Sequence, residues 1–128
     1  MQEDRQRRQK LSRLRQELLE VLQRLRKTLQ VVLARSPLIK GSVYQIARRC
    51  GTPHCRCTRG QLHRNFVLTW SDQGRHYMRS LPPARIDEIR AKSKEYARFR
   101  RAQTALAVMH DQMLSLVQRI RELRREVP

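Results

Sequence analysis

The sequence predicts a mainly α protein: two long helices, paired as an antiparallel hairpin or a coiled coil, flank a small β-hairpin head. Three observations carry this expectation. All four glycines, all three cysteines and the only tryptophan fall within residues 37–83. The flanking segments 1–36 and 84–128 hold no glycine, and their only proline is the terminal Pro128. Both flanks repeat apolar residues at spacings of three, four and seven, the mark of one helical face. The chain of 128 residues divides accordingly into an N-terminal coiled-coil helix (1–36), a head (37–83) and a C-terminal long helix (84–128).

In the first segment Leu11, Leu14, Leu18, Val21, Leu25 and Val32 form a heptad seam, and Leu22 and Leu29 widen it on one side. Gln, Glu, Arg and Lys, all good helix formers, fill the other faces. Ser36-Pro37 stops the helix, because the residue before proline avoids the helical region. The expected helix runs from about residue 3 to 35, roughly 50 Å at ~1.5 Å per residue.

The head begins with Ser42 to Ile46, which can form a strand. Phe66-Val67-Leu68-Thr69-Trp70 is β-favouring, Ser71-Asp72-Gln73-Gly74 is turn-like, and Arg75 to Arg79 can pair back as a hairpin. In the last segment Pro82-Pro83 precede a helix start, where a missing N–H costs nothing. Asp87 and Glu88 follow, where carboxylates favour the positive end of the helix dipole. Ile89, Tyr96, Phe99, Leu106, Met113, Val117 and Ile120 mark its seam, with Met109, Leu116 and Leu123 beside it. Gln103 and His110 fall on that seam at spacings of seven. The expected helix runs from about 84 to 126, roughly 65 Å by the same rise. The residues expected to pack helix on helix, or chain on chain, are Leu11, Leu14, Leu18, Leu25, Phe99, Leu106, Met113 and Ile120. A two-helix hairpin buries little area per residue, which favours a homodimer with a four-helix body.

The cysteines are Cys50, Cys55 and Cys57, and with His63 they read C-x4-C-x-C-x5-H. Structural zinc takes four tetrahedral ligands, and three thiolates with one imidazole are a common set. An odd number of cysteines crowded into eight positions does not read as a disulfide framework. Iron–sulfur ligation generally asks for four cysteines. His54 is a competing fourth ligand, but its adjacency to Cys55 makes joint coordination awkward. The expected cofactor is therefore Zn2+ on Cys50, Cys55, Cys57 and His63. A bound ion would staple a head too small to hold a sheet together by burial alone.

Several runs in this region resemble a family of small basic bacterial Cys/His proteins encoded beside transposases in mobile elements. They are Gly41-Ser42-Val43-Tyr44, Arg49-Cys50-Gly51-Thr52-Pro53-His54-Cys55-Arg56-Cys57, Gly60-Gln61-Leu62-His63, Phe66, and Glu95-Tyr96-Ala97-Arg98-Phe99-Arg100. The resemblance spans about residues 41–101. Thr52 stands where that family has a lysine, and Arg64-Asn65 where it has Gly-Pro. The resemblance implies a zinc head and association with mobile elements, and it implies no activity.

Charge supplies the functional expectation. Lys and Arg number 29 against 11 Asp and Glu, a net charge of +18, and so strongly basic a chain implies a polyanionic partner. The head is the least neutralised segment, with Asp72 its sole acid. Lys40, Arg48, Arg49, Arg56, Arg59 and Arg64 lie near the cysteines in sequence, and Arg75 and Arg79 follow in the hairpin. Arg98 and Arg101 extend the basic surface onto the second helix. Arginine grips phosphate bidentately, and Tyr44 and Trp70 are candidates to stack on bases. The expected partner is nucleic acid, DNA or RNA. The alternative is a coiled-coil adaptor that docks a larger transposase, nuclease or ribonucleoprotein. No acidic cluster suits a two-metal nuclease, and no base and orienting group accompany a cysteine nucleophile, so the expectation is not an enzyme. No run approaches a membrane span, and the charged start lacks a signal-peptide core, which points to the cytoplasm.

Overall fold

A computed structural model describes all residues, 1–128. In chain order the elements are α1 (Gln2–Val32), β1 (Ser42–Arg48), β2 (His63–Asp72), β3 (Arg75–Ser80) and α2 (Ile86–Arg124). Short 3-10 turns cover Arg56–Arg59 and Pro83–Arg85. The protein therefore has two long helices and a small antiparallel sheet, ordered β1-β2-β3. No helix is long and apolar enough to cross a membrane.

The chain forms two compact units. One contains residues 1–34 and 99–128, the other residues 35–98. α2 contributes residues 86–98 to the head unit and the rest to the helical unit.

In the helical unit Leu14, Val21, Met109 and Leu116 are buried together, flanked by Leu18, Leu25, Ala105, Met113, Ile120 and Leu123. The α1 seam follows the expected residues. On α2 the buried line runs through Ala102, Met109 and Leu116, residues expected beside the seam or not on it. Gln103 and His110, expected on the seam, are exposed, as is Val117 at 52%. Both lines repeat every seven residues and differ by one position, about 100° around the helix, so a register taken from Tyr96 turns the seam away from the buried face. Leu11, Phe99 and Leu106 are half-buried and lie outside this cluster.

In the head unit one sheet face packs through Leu68 onto Leu81 and Ile89, with Ile39, Val43, Phe66, Trp70 and Ile86 around them. Ile39 N–H donates to the Lys92 carbonyl, and the Ser93 hydroxyl donates to the Gly41 carbonyl, fixing the strand entrance against α2. Gly41 adopts φ +146, and a Cβ there would lie 2.7 Å from the Thr69 carbonyl oxygen and 2.8 Å from a Leu68 methyl. The β2–β3 connection is the two-residue loop Gln73-Gly74, both at positive φ. That is the turn whose twist matches a hairpin. The hairpin expected from sequence is present, and β1 completes it as a third strand along the whole of Ser42–Arg48.

Candidate metal centre and basic surface

The loop between β1 and β2 shapes the centre. After β1 the chain turns at Cys50–Cys55, where Cys55 N–H donates to the Thr52 carbonyl at 3.2 Å. The 3-10 turn Arg56–Arg59 follows. Thr58 caps it twice onto the Cys55 carbonyl, through its N–H at 3.1 Å and its hydroxyl at 2.7 Å. Gly60 closes the turn in the left-handed region and returns the chain to His63, the first residue of β2. His63 stands opposite Arg48, the last residue of β1.

Three cysteines and one histidine meet there. One ligand atom from each of Cys50, Cys55, Cys57 and His63 lies within 4.8 Å of the others. The Cys50 and Cys57 sulfurs are 3.6 Å apart, and Cys55 Sγ is 3.0 Å from His63 Nε2. The Cys50 N–H donates to Cys57 Sγ at 3.4 Å, a bond that favours a thiolate. Cys57 is fully buried, Cys55 half-buried and Cys50 exposed. Such a set is compatible with a metal site. His54 is exposed and does not belong to the cluster.

Electrostatics at the centre favour charged ligands. The Cys50 thiol is lowered from its usual 9.0 to about 6, chiefly by hydrogen bonds from the Thr52 side chain and backbone, then by Cys55 and Cys57. His63 is raised above 6.5, first by its hydrogen bond to Cys55, then by Cys50. Both shifts favour the charged form of the group, and metal binding would require Cys50 as thiolate and His63 without its second proton.

Around this centre the basic residues are exposed. Lys40, Arg48, Arg49, Arg56, Arg59, Arg64, Arg75 and Arg79 all face solvent, and none forms an ion pair with a carboxylate. Asp72 and Arg75 are opposed across the hairpin without bridging. On α2, Arg98 pairs with Glu95 at 3.6 Å, while Arg101 is exposed and unpaired. Tyr44 is 45% exposed. Trp70 is half-buried and stacks on its strand partner Tyr77, with ring centroids 5.3 Å apart and planes at 14°. Trp70 therefore covers the face of the sheet that packs on Leu81 and Ile89, whereas Tyr44 lies on the opposite face, paired with the fully buried Val67 and itself partly exposed. Sequence reasoning missed Thr52, whose hydrogen bonds set the Cys50 thiol, and Asn65, which lines the surface beside His63. Their signal was only adjacency to a ligand.

No curated protein and no solved structure matches the chain. The model of one family does, that of a domain of unknown function, and its match covers α1, the whole head and the opening of α2. With residues 1–91 matched, the greater part of its length, the chain belongs to the DUF6788 family.

Proposed function

We propose that this protein is a zinc-stapled, nucleic-acid-binding accessory protein, serving a bacterial mobile genetic element. One observation carries the binding reading: the eight basic side chains of segment 37–83 are exposed, with no carboxylate partner, in a segment holding a single acid. Elsewhere such charges are partly compensated along the helices, as in Arg7 and Arg8 with Asp4 or Lys92 with Glu88. Phosphates are the natural complement of an uncompensated arginine surface. The association with mobile elements rests on the resemblance of the Cys/His and Tyr/Phe runs alone.

Zinc is supported by the ligand set and by its spacing. Tetrahedral Zn–S bonds of ~2.3 Å put sulfurs about 3.8 Å apart, near the 3.6 Å between Cys50 and Cys57. The 3.0 Å from Cys55 to His63 is a hydrogen-bond distance, and ion entry would open it by about half an ångström. Cys50, Cys55, Cys57 and His63 would hold the ion, and its contribution would be structural. The same reading gives the helical unit an antiparallel arrangement. It is supported by the Arg24 bond to Gln112 and by the groove that lines Lys10 to Glu17 with residues 115–123.

The test is equilibrium binding of the zinc-loaded full chain to matched DNA and RNA oligomers across salt. If the head neutralises about six to eight phosphates, log affinity falls with log salt at a slope near −5 to −7. A flat salt dependence overturns the reading.

A second reading, a coiled-coil adaptor or homodimer, is favoured by one observation. Leu22, Leu29 and Val117 are 48%, 38% and 52% exposed, and lie next to the buried seam on their helices. A partner helix would cover them. L22E/L29E is expected to reduce the mass seen by analytical ultracentrifugation while leaving oligonucleotide binding by the head intact.

A further inference from the structure

Where β1 ends and β2 begins, the head carries a cleft of about 590 Å3 lined by Arg48, Arg49, Cys50, His63, Arg64 and Asn65. Its size falls within the range of small-ligand sites. Arg48 is held opposite His63, and Arg64 opposite Ala47, so each strand contributes an arginine to the cleft lining. None has a carboxylate to answer it. Three like charges gathered in one concavity without a counter-ion raise one another's energy unless an anion joins them. The neighbouring ligand cluster does not remove the surplus. Three thiolates with one divalent ion carry a net charge of −1, which leaves the three arginines with two positive charges to spare. Asn65 supplies a further observation. Its Oδ1 is buried without a hydrogen-bond partner while its Nδ2 donates to Ser80 Oγ at 3.4 Å. With the amide turned over, Oδ1 accepts from the Ser80 hydroxyl, and Nδ2 takes the same buried place behind the cleft wall.

We propose that this cleft is a phosphate-binding site built against the metal centre, and that it holds the phosphoryl group at a nucleotide terminus. This deepens the nucleic-acid reading and rests on it for the source of the phosphate. The surplus of two charges matches a terminal phosphate monoester, which is a dianion above its second pKa of about 6, better than an internal diester with one charge. Arginine forks give that dianion paired hydrogen bonds, which a point charge does not. The metal centre fixes both walls, since Cys50 and His63 are ligand positions and cleft residues at once.

The experiment uses the zinc-loaded full chain. Inorganic phosphate is titrated while the arginine Nε–H resonances are followed by NMR. Binding of a short single strand is then compared with and without a 5′-phosphate. Phosphate is expected to shift Arg48, Arg49 and Arg64 selectively. The 5′-phosphorylated strand is expected to bind about tenfold more tightly than the 5′-hydroxyl strand. R48Q/R64Q is expected to erase both effects, while R75Q/R79Q, outside the cleft, lowers affinity for both strands alike and keeps the cleft shifts and the preference for the phosphorylated strand. Zinc content of one ion per chain in each variant shows that the head remains assembled. Phosphate shifts spread over all head arginines, or loss of the 5′-phosphate preference in R75Q/R79Q as complete as in R48Q/R64Q, would overturn the site. Equal affinity for the two strands, with cleft shifts intact, would overturn the terminal assignment in favour of an internal diester. Cleft shifts with no strand binding at any salt would leave the phosphate site standing and remove the nucleic-acid reading.

Discussion

At the metal centre two histidines separated by nine positions differ in what the backbone lets them reach. His63 opens β2 and is pinned opposite Arg48, with Nε2 already 3.0 Å from Cys55 Sγ. His54 precedes Cys55 inside a tight turn, is exposed, and does not belong to the cluster. His63→Ala is therefore expected to weaken zinc binding by more than about 100-fold, beyond the usual cost of losing a supporting group. His54→Ala should leave it unchanged. Competition with a chromophoric chelator reads both. Thr52 gives a second prediction, because its hydrogen bonds are the largest cause holding Cys50 at about 6. A thiol depressed on folding adds stability that is full above its unfolded value of about 9 and fades as pH falls through about 6. His63 has the opposite sign: its raised value adds stability below 6.5 that is lost as pH rises through the folded value. Zinc needs Cys50 as thiolate and His63 neutral, so affinity falls on acidification. Thr52→Val raises the Cys50 thiol towards 9.0, and the pH of half-maximal zinc occupancy is expected to move up, by one unit or less because only one of four ligands changes. An unmoved midpoint would show that Thr52 does not govern the thiol.

Among the elements, the helical pair depends on very few side chains. Leu116 is 6% exposed within the core cluster, whereas its neighbour Val117 is 52% exposed. Leu116→Ala is expected to cost about 2–5 kcal/mol of unfolding free energy, and Val117→Ala under about 0.5 kcal/mol, measured by urea unfolding followed at the helical band. The inverse ranking would mean that the seam drawn from heptads was the true one. That comparison also shows what the sequence could and could not disclose. The seam of α1 is legible because leucines and valines mark it at Leu14, Leu18, Val21 and Leu25. On α2 small residues carry the contact at Ala102 and Ala105, and alanine gives no apolar signal strong enough to override an extrapolated repeat. The helix ends were readable from Ser36-Pro37 and Pro82-Pro83, although α1 finishes at Val32, short of the proline. The Cys/His cluster was legible because cysteine spacing is chemistry written locally. The cleft was not, since Arg48 and Arg64 are sixteen positions apart and come to one cleft only through the β1–β2 pairing. Strand pairing of that kind is a long-range fact, and neither residue carries a sign of it.

The whole molecule has two hydrophobic clusters that share no residue. Leu14, Val21, Met109 and Leu116 form one, and Leu68, Leu81 and Ile89 form the other. The second is small, and each such side chain contributes only about 1.5–3 kcal/mol on burial, while every residue of the three strands loses about 1–2 kcal/mol of backbone entropy. β3 is exposed along its whole length, so hydrophobic burial supplies it with little. On the zinc reading the head depends on the Cys/His cluster at the β1–β2 loop, one member of which, Cys57, is fully buried. Metal binding to such a unit is coupled to its folding. Stripping zinc with a strong chelator is expected to abolish the amide protection of β1, β2 and β3 and to fray α2 over residues 86–98, which belong to the head unit. Protection at Leu14, Val21, Met109 and Leu116 should persist, because their cluster contains no ligand. Hydrogen exchange read residue by residue distinguishes this from a single cooperative fold. Uniform loss across both clusters would show that the two cores unfold as one, and a protected sheet after zinc removal would show that the ion is not its staple.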